Sequence, residues 1–140
     1  MLFRSSINVI DPGTTTGLIY DAITYATTAT TGNGVTATVT YNGLNAFAIN
    51  DTVYVYGVTP AGYNTTGATV TGIGSNTVQY ANATVAAMSV AGLVLNKKDS
   101  QRITSVPTTI GSFAVGALFK NGMTFIPGTG QSINVNYTLS

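Results

Sequence analysis

The 140-residue chain contains no Glu, His, Cys or Trp, and only 6% of its residues are charged. Ordinary globular proteins carry about 25% charged residues. Without cysteine there is no disulfide or thiolate–metal chemistry. Without His and Glu, general acid–base work falls to four aspartates, Asp11, Asp21, Asp51 and Asp99, and no two are close in sequence. Calcium-loop, phosphate-loop, nucleophile-elbow and His/Cys metal spacings are all missing. The expectation is a protein that is not an enzyme and takes no cofactor or metal.

Other absences narrow the partners. A net charge of +1 gives no case for nucleic acid or an anionic membrane. The one charge cluster, Lys97, Lys98 and Arg102 beside Asp99, could meet a phosphate or an acidic partner, but it lacks a Gly-rich nest and reads better as a solvated hinge. No run approaches the roughly 18 apolar residues of a membrane span. The start, MLFRSSINVIDPG, lacks the apolar core of a signal peptide, so synthesis in a cytoplasm without export is expected. Four glycosylation-type triplets, at Asn50, Asn64, Asn82 and Asn136, reflect the abundance of Asn and Thr.

What remains is threonine, asparagine, glycine and 44% hydrophobic residues, enough for a modest core. The pattern is that of an all-β protein. Residues 2–10 and 18–25 read as strands; a helix over 18–25 is the poorer choice because Ile, Thr and Tyr favour strands. ATTATTGNG (26–34) reads as a linker. In 35–41, Val35, Ala37, Val39 and Tyr41 alternate with threonines, a two-residue period with one apolar face. Phe47 and Ile49 are expected in the interior. TVYVYGV, GATVTGI and NTVQY then form a meander, separated by a Thr59-Pro60-Ala61-Gly62 turn, with Gly62 expected at positive φ, and by a Gly74-Ser75-Asn76 turn. Residues 88–95 supply another strand, and NKKDSQR (96–102) reads as a solvated hinge. Strands follow at 103–106 and 111–119. Asn121-Gly122 predicts a hairpin into 123–126, and 132–139 closes with Ile133, Val135, Tyr137 and Leu139 on one face.

The succession from Phe47 to Tyr80, above all Gly57-Val58-Thr59-Pro60-Ala61-Gly62-Tyr63-Asn64, resembles a small β module of tailed-phage structural proteins. With its flanking strands the likeness spans somewhat under half the chain. The ending LFKNGMTFIPGTGQSINVNYTLS is similar to the ends of small phage head- and tail-associated β proteins. The resemblance implies a non-catalytic part of a virion.

Together these readings predict a small antiparallel β-sandwich or barrel with an inserted β-meander module. Residues 1–31 plus 98–140 would form a discontinuous outer domain around 32–97; the alternative is one continuous β-sandwich over 1–140. The expected function is a multi-copy decoration or cement protein on a phage head, located in the virion. Its partner would be the major capsid protein or another virion structural protein, with self-association. The alternative is a tail, baseplate or fibre-associated adhesion module binding host glycans on a tyrosine platform. Candidate interface residues are Ser132, Asn134, Asn136 and Thr138 on the last strand, with Tyr54, Tyr56 and Tyr63.

Overall fold

Threonine runs that a composition argument assigns to linkers are strand in the computed structural model, which describes residues 3–115 and 119–139. Among the described residues ten strands follow one another: β1 (Phe3–Pro12), β2 (Gly17–Gly32), β3 (Thr36–Tyr41), β4 (Thr52–Tyr56), β5 (Thr65–Ile73), β6 (Thr77–Ala81), β7 (Leu93–Val106), β8 (Gly111–Val115), β9 (Met123–Ile126) and β10 (Gln131–Leu139). The only helical element among the described residues is a 3-10 turn at Ala61–Tyr63. The fold is all-β with two antiparallel sheets. One is three-stranded, in the order β10-β1-β8; the other is seven-stranded, β3-β6-β5-β4-β7-β2-β9. Because β2 also pairs with β3, the larger sheet nearly closes into a ring.

Contacts divide the chain into two compact units, Met1–Ala22 with Gln101–Ser140, and Ile23–Ser100. The boundaries lie inside β2 and β7. The expected linker at 26–34 is therefore mostly strand, and the expected hinge at 96–102 lies within β7. In both places β-branched or long side chains extend a ladder already begun, and ladder hydrogen bonding outweighs the polar composition.

In the continuous unit, β4, β5 and β6 pair in sequence as the predicted meander. Ala37, Val39 and Tyr41 point into the core and Thr36, Thr38 and Thr40 outward, as the alternation of β3 requires. Val53, Val55, Val58, Tyr63, Val70, Val78, Tyr80 and Val94 complete that core with Phe47. Ile49, expected inside, is 49% exposed. Register shifts interrupt β2–β3, β4–β5 and β5–β6, and such bulges bend strands in the way a closing sheet needs. Residues 88–92, expected as strand, carry only a bridge between Val90 and Thr59. Gly92 explains why the chain can pass there: a Cβ on it would stand 2.6 Å from the Val58 nitrogen and 2.7 Å from the Gly57 carbonyl carbon.

In the discontinuous unit, β1 lies between β10 and β8, and β2 pairs with β9 through Leu18–Asp21. Ile7, Val9, Ile19, Val106 and Val115 form the core, flanked by Phe113, Phe125 and Ile133. Among the described residues the predicted pairing across Asn121-Gly122 is not found: β8 pairs with β1 while β9 pairs with β2. Ala117, placed on a strand by its alternation, lies outside the described residues.

Candidate functional site

The Gly57–Asn64 segment is a self-contained fold device. Gly57 adopts φ 75°, a left-handed conformation that glycine accepts without strain. Val58 and Tyr63 enter the core. The chain then turns, with the Tyr63 N–H donating to the Pro60 carbonyl at 3.3 Å. Asn64 clamps the turn: its amide oxygen accepts from the Val58 N–H and its amide nitrogen donates to the Val58 carbonyl, both at 3.0 Å. Gly62 is not among the residues at positive φ. It is small because a Cβ would press on the Thr84 side chain.

Tyrosines extend the same internal network. The Tyr80 hydroxyl donates to the Tyr63 carbonyl, and the Tyr63 hydroxyl to the Ala86 carbonyl. Burial pushes the Tyr80 phenol above its ordinary range, and Tyr63 adds to the effect. Tyr41 accepts from the Ala46 N–H at 3.2 Å and meets Phe47 edge-on, with ring centroids 5.4 Å apart. Tyr63, expected at an interface, is therefore a core residue. Tyr54 and Tyr56 lie half-buried on β4.

Two aspartates are captured by backbone. Asp21 is 5% exposed and accepts from the N–H groups of Lys120 (2.7 Å), Asn121 (2.7 Å) and Gly122 (3.0 Å). This capture reshapes the Asn-Gly segment expected to be a simple hairpin turn. Burial by itself would raise the Asp21 carboxyl; the three N–H donors and the Lys120 charge outweigh it and hold the group below its usual value. Asp51 Oδ2 accepts from the Ala48 N–H (2.8 Å), the Asn96 amide (2.6 Å) and the Lys98 ammonium (3.0 Å). Its carboxyl is also held low: burial opposes the ionised form, but those donors prevail. Asn96, 1% exposed, also donates to the Ala46 carbonyl at 3.0 Å and so pins the 42–50 loop. An ionised acid saturated with donors is a poor proton acceptor near neutral pH. These sites hold the fold. Among the described residues no group of three or more His, Cys, Asp or Glu side chains could hold a metal ion.

Neither capture was read from the sequence. The available signal is a charged residue inside an apolar run, Asp21 within Leu18–Ala22, which requires buried donors.

The predicted interface positions on β10 are outward: Ser132, Asn134 and Asn136 are exposed, while Ile133 and Val135 are partly buried. The side chain of Thr138 lies outside the described ones. β10 is the terminal strand of its sheet. One open groove of the continuous unit is neutral and polar, about 310 Å³, lined by Thr31, Gly32, Asn33, Thr36, Thr38 and Gln79. These surfaces offer hydroxyls and amides, and β10 adds the outer edge of a terminal strand. Compared with family models, curated proteins and solved structures, the chain matches none.

Proposed function

We propose that this chain is a structural protein of a tailed-phage particle, a many-copy decoration or cement component that binds the capsid surface. Its finer architecture, on this reading, is a small barrel module, Ile23–Ser100, inserted into a sandwich built from the chain's two ends. The observation that carries the proposal is the scarcity of charge on a folded β protein. The outward faces of β3 and β10 are built from Thr, Ser and Asn, and 6% of all residues are charged. Copies of such a surface pack against one another and against a shell with little like-charge repulsion. The resemblance over Phe47–Tyr80 supports the same reading.

The test is occupancy on the native particle. Quantitative mass spectrometry of purified virions should find the chain in hundreds of copies, and electron microscopy should place it on the head. Absence from virions, or turnover of a substrate by free protein, overturns the proposal. A position only at the tail tip favours the glycan-binding alternative, whose tyrosine platform is reduced to Tyr54 and Tyr56 by the burial of Tyr63.

A further inference from the structure

We infer that β10 is a homophilic edge: it pairs antiparallel with β10 of a second copy, across a two-fold axis, so that the three-stranded sheet becomes six-stranded. The inference specifies one partner of the proposed assembly and concerns the isolated chain, so it can fail while the virion reading stands, and the reverse.

The first argument compares the sheet edges. Natural edge strands are kept from adding a neighbour by shortness, charge, proline or bulges. β8 has five residues and begins at Gly111 with φ 153°. β9 has four and is followed at once by Pro127. β10 has nine residues, Gln131–Leu139, with no charge, proline or glycine among them. From Ile133 to Leu139 it holds an unbroken register against β1, the one irregularity falling at the Val9/Asp11 step. Among the described strands it is the long edge without a guard.

The second argument selects a second copy as the occupant. In a two-fold antiparallel pair the strand faces its own sequence in reverse, so any charge on it lies near its like. β10 has none. Its exposed face presents Ser132, Asn134 and Asn136. Hydroxyl and amide groups both donate and accept, so this row is complementary to itself. On the other face, Ile133 and Val135 are only partly buried, whereas Ile7 and Val9 on β1 are 1% and 0% exposed. The core of this unit stops short at the edge strand, and an added strand would cover these residues.

The absence of cysteine supplies a clean test. The full-length chain should show a concentration-dependent dimer by light scattering coupled to size exclusion. Single Cys substitutions at Ser132, Asn134 and Asn136, oxidised in solution, should give one position of maximal disulfide-linked dimer, because a residue meets its own mate only at the axis. Asn134→Lys with Asn136→Lys should weaken association by at least about tenfold, with an unchanged circular dichroism spectrum because both side chains are exposed. A chain monomeric up to its solubility limit overturns the inference. So does a dimer indifferent to the lysines, or equal cross-linking at all three positions.

Discussion

Removing the Asp21 carboxylate should loosen the Lys120–Gly122 segment and destabilise the chain by about 2–4 kcal/mol. Three backbone N–H groups reach that carboxylate at 2.7, 2.7 and 3.0 Å. A hydrogen bond to a charged acceptor contributes a net of about 1.5–3 kcal/mol. Lys120, Asn121 and Gly122 are exposed, so water recovers part of the donors once the segment is released. One to two bonds' worth of free energy is the expected loss for Asp21→Ala. Asp21→Asn keeps the size but turns an NH2 group toward donors, and should lose nearly as much. At roughly 3 °C per kcal/mol for a chain of this length, either change lowers Tm by about 6–12 °C. The pH dependence identifies the cause. The folded-state carboxyl lies below its ordinary value. Its contribution is therefore complete above the unfolded value near 3.9 and lost as pH falls through the folded value. Urea melts of wild type and Asp21→Ala should differ by a constant amount from about pH 8 to 5, and the difference should shrink as pH falls below about 4. Asp51 titrates in both proteins and cancels. A difference under about 0.5 kcal/mol, the size of an ordinary surface substitution, or one unchanged down to pH 3, refutes the assignment.

Tyr80→Phe leaves the buried Tyr63 carbonyl without its donor and should cost about 1–3 kcal/mol in chemical denaturation; an unchanged midpoint contradicts that bond. Gly92→Ala places a Cβ 2.6 Å from the Val58 nitrogen, where only backbone can yield, and should destabilise by more than about 1 kcal/mol. Asn96→Ala removes the tie from Asp51 to the Ala46 carbonyl and should raise amide exchange over residues 42–50 before global unfolding; uniform protection there contradicts the latch. Leu44→Ser, at a residue 72% exposed, should shift stability by no more than about 0.5 kcal/mol, and a larger loss places Leu44 in a covered surface.

The parts of the fold legible in the sequence are those governed by period. Ala37, Val39 and Tyr41 alternate with threonines, and each is buried as the two-residue repeat of a strand dictates. The meander was readable because its strands are neighbours in sequence and its turns carry Pro, Gly and Asn. Strand length was not readable. β2 continues through ATTATTG because threonine extends a ladder as well as valine once a partner is present, and the partner, β3, lies beyond the next turn. Among the described residues β8 and β9 lie in different sheets for a related reason. Asn121-Gly122 is a strong local turn signal, but Asp21, 101 residues away from Gly122, takes its N–H. Local chemistry proposes a turn; a distant carboxylate decides which strands it joins.

The same capture explains what the few acids are for. Asp21 holds three consecutive N–H groups, Asp51 holds the Ala48 N–H and the Asn96 amide, and Asp11 accepts from the Gly13 N–H at 3.1 Å. Three of the four acidic residues thus serve loops of their own chain. Elsewhere the sequence uses neutral groups for equivalent tasks, as where Asn64 stands in for a strand partner at Val58. An acid retained where a loop needs a strong acceptor and omitted elsewhere leaves outward faces of hydroxyl and amide. Such faces have no long-range field to steer or repel a partner. On the proposed reading, association would depend on backbone edges and close complementarity, which is why the uncharged β10 edge, more than any pocket, is the place where binding should be sought.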